Sequence, residues 1–136
     1  MKPLEVVEQF PPNMEDIERV FGDISEHKPV FCYGKMIYNP YKREILADTQ
    51  VHEQVHARQQ GEYPKVWWYK YLTDVEFRKQ QEIEAYGIQY EFAKSLTSGK
   101  LRDFVLDSIT RSLVGGMYGI IISHGEARSK IRNFNK

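Results

Sequence analysis

The sequence has little cysteine, almost no net charge and no long apolar run. Cys32 is its only cysteine, so no disulfide can form within the chain and a disulfide-stapled fold is excluded. The 19 basic and 19 acidic residues cancel in formal charge, and the two signs are largely interleaved. Because nucleic-acid binders concentrate positive charge on one surface, we expect no nucleic-acid partner.

The absence of long apolar runs bears on location. No window approaches the roughly 20 apolar residues of a membrane-spanning helix, and the N-terminal sequence lacks the apolar centre of a signal peptide. We therefore expect no membrane partner and a cytoplasmic location. The length of 136 residues favours a single domain over residues 1–136. Cys32 lies in an apolar run, where a small core residue is expected rather than a nucleophile.

Proline, glycine and capping residues divide the chain into short elements. Predicted strands over 30–38 and 43–47 flank a turn at 39–42 and form a β-hairpin. Asn13, Thr73 and Ser123 are each placed to cap a helix, the last two in capping boxes. The predicted helices cover 14–21, about 48–60, a stretch from 64 through 71, 74–96, 101–113 and 124–133. Residues 118–122 are expected as a buried strand or loop. The fold class is α+β, with helices packed on a small hairpin.

The segment His52-Glu53-Gln54-Val55-His56 is the clearest chemical signal. Histidines at i and i+4 lie on one helical face, so both imidazoles can reach one metal ion. Zinc accepts neutral imidazole readily, and we expect one Zn²⁺ per chain. Glu53 is rotated away from the two histidines, which suits it to accept a proton from a water bound to the ion.

A catalytic zinc site usually takes a third protein ligand. The predicted long helix supplies the candidates Glu76, Glu82, Glu84 and Glu91. Glu82 is followed at i+3 by the small Ala85, which lets a second helix approach. Glu84 is rotated by about 200° from Glu82 on an ideal helix, so only one of the two can face the ion.

His52 to His56, followed by Glu82-Ile83-Glu84-Ala85, resembles the gluzincin pattern of HExxH with a Glu-x-x-Ala segment on a second helix. The short chain is similar to the minimal members, the minigluzincins. The resemblance covers about residues 43–89. It implies a zincin-like core with an HExxH helix and a second ligand-bearing helix. It also implies that Glu82 is the third ligand, with Glu84 as the alternative.

Tyr86 is a departure from that pattern, since many gluzincins have Asp there to support a zinc-bound histidine. Asp48 or a backbone carbonyl would then have to give this support. Tyr118 and His124 are the candidates for stabilising an oxyanion, although core packing or a solvent-exposed position would also explain them. The resemblance further implies that one hairpin strand, with 43–47 as the candidate, pairs with an extended peptide.

The predicted function is a zinc metallopeptidase that acts on a peptide or protein substrate. His52, His56 and Glu82 would hold zinc, and Glu53 would activate water. The alternative is a non-catalytic zinc-binding interaction protein that keeps the metallopeptidase fold. The presence of Glu53 favours the enzyme, because a structural zinc site needs no adjacent base.

Overall fold

The computed structural model describes residues 2–120 and 122–135, and it has the predicted α+β composition. A single 3₁₀ turn occupies Ser25–His27. The three strands are β1 (Glu5–Val7), β2 (Phe31–Tyr33) and β3 (Met36–Tyr38). The six helices are α1 (Met14–Phe21), α2 (Ala47–Gln60), α3 (Pro64–Thr73), α4 (Val75–Ser95), α5 (Gly99–Val114) and α6 (His124–Arg132).

The small sheet has the order β1-β3-β2, with β1 parallel and β2 antiparallel to the central β3. The hairpin of β2 and β3 turns at Gly34 and Lys35, where Gly34 has a φ of 63°. Glycine adopts this left-handed conformation without the steric cost of a Cβ. β1 was not predicted, since its three residues are too few to show an alternating pattern.

The predicted second strand over 43–47 is wrong. The Asn39 amide donates to the carbonyl of Arg43 (2.8 Å), and the Arg43 N–H donates back to the Asn39 side chain (3.1 Å). These bonds hold 39–43 in a tight loop that leads directly into α2. The hairpin therefore forms within the stretch predicted as one strand, and residues 43–47 are not part of the sheet.

The helix starts agree with the sequence in part. Ser123 accepts a hydrogen bond from the Glu126 N–H, as predicted for α6. At α4 the cap is Asp74, which accepts from Phe77, and not Thr73. The side chain of Asn13 makes no capping bond to α1. Residues 118–120 and 122 form a loop and not a strand, and Ile121 lies outside the described residues.

Two groups of buried apolar side chains surround the middle of the molecule. The helical cluster joins α4, α5 and α6 and consists of Ile83, Tyr86, Tyr90, Leu106, Ile109, Leu113, Ala127 and Ile131. The aromatic cluster joins α1, the sheet and α3 and consists of Ile17, Ile24, Phe31, Trp67, Trp68 and Tyr71. Buried apolar surface of this kind supplies most of the free energy that opposes unfolding.

Phe134, just beyond α6, packs onto α4 at Gly87. A Cβ at Gly87 would lie 2.5 Å from the Cβ of Phe134, which is far inside van der Waals contact. Glycine is therefore required here if the end of the chain is to reach the long helix.

The N-terminal segment is tied to the outer side of α2. The Gln50 amide exchanges two hydrogen bonds with the backbone of Leu4 (3.1 Å each), and Gln54 donates to the carbonyl of Lys2. Among the described residues, no helix combines the length and apolar character needed to cross a bilayer.

Candidate metal centre

Helices α2 and α4 bring the predicted ligands together. His52 and His56 lie one turn apart on α2, and Glu82 faces them from α4, against which α2 packs along its length. All three side chains are buried, with Glu82 only 2% exposed. Burying two imidazoles and a carboxylate is costly unless they pair with each other or bind an ion.

The facing atoms form a nearly equilateral triangle. Oε1 of Glu82 lies 3.2 Å from Nε2 of His52 and 3.2 Å from Nε2 of His56. The two Nε2 atoms are 3.1 Å apart. This buried group of one carboxylate oxygen and two ring nitrogens could hold a metal ion.

Two glutamines fix the orientation of the imidazoles. The Nδ1–H of His52 donates to Oε1 of Gln89 (2.9 Å), and that of His56 donates to Oε1 of Gln59 (2.8 Å). Because each Nδ1 carries a proton, the Nε2 of each imidazole in its neutral form presents its lone pair to the centre of the group. Sequence reasoning missed both glutamines. Gln59 follows His56 by three residues and Gln89 follows Glu82 by seven. This helical spacing was the signal in the sequence that could have identified them.

Asp48 supports His52 through one of these glutamines. The amide Nε2 of Gln89 donates to Oδ2 of Asp48 (2.9 Å), so Asp48, Gln89 and His52 form a chain of hydrogen bonds. Asp48 was expected to support a histidine directly, but Gln89 occupies that position and Asp48 bonds to Gln89. Tyr86, at the position of departure from the family pattern, instead packs its ring against His52, with centroids 4.3 Å apart.

Tyr71 of the aromatic cluster holds the other oxygen of Glu82. Its hydroxyl donates to Oε2 at 2.5 Å. This leaves Oε1 as the oxygen directed at the histidines, so Glu82 is arranged to offer one ligand atom.

The charges in the group depend strongly on one another. Burial by itself would raise the pKa of Glu82, but His56 and His52 hold it well below its usual range. Burial by itself would lower the pKa of His56, but the charge and hydrogen bond of Glu82 raise it to about 9. An anionic Glu82 thus stabilises positive charge at the centre, whether a proton or a metal ion carries it.

Glu53 lies beside the ligands without joining them. It is 5% exposed, and its Oε2 lies 3.8 Å from Nε2 of His52. Burial raises its pKa, and the nearby charges of His52, His56 and Arg43 partly oppose this rise. A buried carboxylate with a raised pKa next to a metal-binding group has the properties of a proton acceptor.

Of the three remaining candidate residues, two lie away from the histidines and one lies beside them. Glu84, the alternative third ligand, points away from the histidines, accepts from Gln59 (2.8 Å) and pairs with Arg58. His124 is exposed and lies 3.4 Å from Asp107. Tyr118 does lie at the centre, and its hydroxyl is 2.7 Å from that of Tyr86.

Cys32 is a buried thiol, as predicted. Its S–H donates to the carbonyl of Gly34 (3.3 Å), and burial raises its pKa well above the usual range. Its own carbonyl accepts from Gln60 and Trp68, which cover the outer edge of β2 next to the centre.

Two pockets meet at the centre and share His52, Glu53 and Tyr118. The apolar pocket, of about 60 Å³, also contains His56 and Glu82 and is walled mainly by the aromatic cluster and Met117. The polar pocket is larger, about 270 Å³. Its further lining includes Arg43, Thr49, Tyr86, Gln89, Arg111 and Ser112. Helix α3 packs against both α2 and α4, and its residues Trp67, Trp68 and Tyr71 also line the apolar pocket.

Comparison with protein-family models, with curated proteins and with solved structures found no match to this chain.

Proposed function

We propose that this chain is a zinc-dependent peptidase with a gluzincin-like arrangement of ligands. The observation that carries the proposal is the buried triangle of His52, His56 and Glu82 with Glu53 beside it. Three ligands of this kind, next to a base and two pockets, suit a catalytic rather than a structural ion.

The donor atoms and their spacing fit zinc. Tetrahedral zinc with ligand distances of about 2.0–2.1 Å places neighbouring ligand atoms roughly 3.3 Å apart. The three atoms here are separated by 3.1 to 3.2 Å. Imidazole nitrogen and carboxylate oxygen are both ligands that zinc prefers, and the two Nδ1–H bonds already select the tautomer that it requires.

When bound, zinc supplies a Lewis acid that lowers the pKa of a water and polarises a carbonyl. The chain would supply the remaining steps. Glu53 accepts a proton from the attacking water at its carboxylate and can return it to the leaving amine. Tyr118 can donate its hydroxyl hydrogen to the oxygen on which negative charge develops, and its bond to Tyr86 fixes its position.

The alternative remains a zinc-binding interaction protein without catalysis. Burial of Glu53 favours the peptidase, because a buried carboxylate that serves no ligand role costs stability. An interaction protein would bind zinc equally well, so zinc content alone does not separate the two functions.

Replacement of Glu53 by Gln separates them. We expect wild type and Glu53→Gln each to retain about one zinc per chain by metal analysis, and we expect the variant to cleave peptides at least about 100-fold more slowly. Glu76→Gln is the matched control, since that carboxylate is exposed at the start of α4 and accepts a hydrogen bond from Gln80.

Equal cleavage rates for wild type and Glu53→Gln on a broad peptide library would rule out the peptidase. If the wild type purified with sufficient zinc contains no metal, both functions fail. Loss of zinc from His56→Ala locates the ion at the predicted ligands.

A further inference from the structure

The two pockets at the centre differ in what they can admit. The apolar pocket, at about 60 Å³, is much smaller than the cavity of about 150 Å³ that holds a benzene ring. The polar pocket, at about 270 Å³, is the one with room for an amino-acid residue. A substrate that reaches Glu53 must therefore place most of its bulk in the polar pocket.

The charged side chains that line the polar pocket are mainly cationic. Arg43 approaches from the loop before α2, and Arg111 approaches from the last turn of α5. Among the described residues that line this pocket, Glu53 is the only acidic one, and it lies at the inner end beside His52. His27 is a further lining residue that can gain a positive charge.

Arg43 has no acidic partner among residues 2–120 and 122–135. Its guanidinium donates to the carbonyl of Lys28 (3.2 Å), and no described carboxylate lies within 4.0 Å of it. Arg111, by contrast, is paired with Asp107, which also lies near His124. Since a guanidinium carries five N–H donors, Arg43 retains the capacity to bind a carboxylate, and Arg111 can add a weaker attraction.

We propose that the polar pocket binds a carboxylate group of the substrate, with Arg43 as the specificity-determining residue and Arg111 in support. The inference rests on the proposed peptidase function. The carboxylate can be the free C-terminus of a peptide or the side chain of Asp or Glu, and both present the same planar pair of oxygens to a guanidinium.

The test uses zinc-loaded protein and six versions of one N-terminally blocked tetrapeptide of small apolar residues. One version ends in a free carboxylate and one in an amide. The other four are amides that carry either Glu or Gln at one of the two internal positions. We expect kcat/KM to be about tenfold higher for a carboxylate-bearing version than for its neutral partner. A preference for acid over amide identifies the C-terminus, and a preference for Glu over Gln identifies the side chain.

Arginine variants then locate the preference. Arg43→Gln should reduce the carboxylate preference to about unity, mainly through KM, and Arg111→Gln should reduce it less. Arg128→Gln is the control, because that half-buried arginine pairs with Asp103 and lines neither pocket. A merely structural role for Arg43 would slow cleavage of the acid and neutral peptides equally and leave their ratio unchanged. Survival of the preference in both Arg43→Gln and Arg111→Gln overturns the inference.

Calorimetry measures the binding of the same peptides to zinc-loaded Glu53→Gln. Together with the cleavage rates, it distinguishes failure of the inference from failure of the proposed function. Cleavage without any carboxylate preference overturns the inference alone. Carboxylate-dependent binding by a protein that cleaves no peptide overturns the peptidase function and leaves the binding site. Absence of both overturns both.

Discussion

The helical cluster and the aromatic cluster lie on either side of the metal centre, and they differ in the polar groups that they bring to it. From the aromatic cluster, Tyr71 donates a hydrogen bond to Glu82, and the Trp67 ring lies 5.4 Å from that of His56. From the helical cluster, the Tyr86 ring packs on His52. The helical cluster thus fixes where α4 lies, whereas the aromatic cluster also orients the ligand that α4 carries.

The largest effect should come from the helical cluster and should fall on stability alone. Leu106 is fully buried, so Leu106→Ala should lower the free energy of unfolding of the metal-free protein by about 2–5 kcal/mol. Urea unfolding measures this, and a zinc titration of the folded variant should give an affinity within about threefold of wild type. Leu101→Ala, at an exposed site on the same helix, should change stability by less than about 0.5 kcal/mol. A large loss of zinc affinity in Leu106→Ala would contradict this separation.

A change in the aromatic cluster should instead lower the affinity for zinc. Tyr71→Phe keeps the ring but removes the hydrogen bond that holds Oε2 of Glu82. We expect zinc affinity to fall about 10- to 100-fold, as for other groups that orient a metal ligand. Competition against a chelator of known affinity measures it.

Tyr90→Phe is the matched change in the helical cluster, where the ring is buried and the described residues offer its hydroxyl no hydrogen bond. It should leave zinc affinity unchanged. Equal affinities for Tyr71→Phe and wild type would mean that the aromatic cluster also acts only through packing.

Per pH unit, the smallest effect is the pH dependence that follows from His56. Its pKa is about 9 in the metal-free protein, against an ordinary value of 6.5. The stability that the proton on His56 contributes is complete below about pH 6.5 and is lost as the pH rises through about 9. Because zinc needs the unprotonated Nε2, zinc affinity should rise by up to about tenfold per pH unit over the same interval.

Chelator competition and urea unfolding between pH 6 and pH 9 measure the two trends, which should run in opposite directions. His56→Gln should remove the pH dependence of stability over this interval. Zinc affinity that is constant over the same range in wild type would contradict the assignment of the proton to His56.

The two histidines of the candidate metal centre could be predicted from local spacing, because His52 and His56 had to share a face of one helix. The resemblance to the gluzincin pattern, and not geometry, selected Glu82 over Glu84. Gln59, Gln89 and Tyr71 could not be predicted in the same way, because their roles depend on how α2, α3 and α4 pack. Glutamine and tyrosine also occur widely at positions with no such role.

The errors in the sheet have a different cause. β-Branched and aromatic residues indicated extended chain over 30–38, but such composition does not reveal where a strand folds back. Gly34 supplied the turn, and the side chain of Asn39 turned the next segment into a loop. A three-residue strand such as β1 is recognised by its pairing with β3. Because β3 is distant along the chain, local sequence patterns do not reveal this pairing.

The close contact of Phe134 with Gly87 limits how far the metal centre can be treated as a module. Gly87 lies inside α4, where glycine costs about 0.5–1 kcal/mol of helical stability relative to alanine. A peptide that carried only α2 and α4 would lack both the docking of Phe134 and the neighbours that compensate for this glycine. The helix that carries Glu82 therefore packs against a residue about fifty positions further along the sequence.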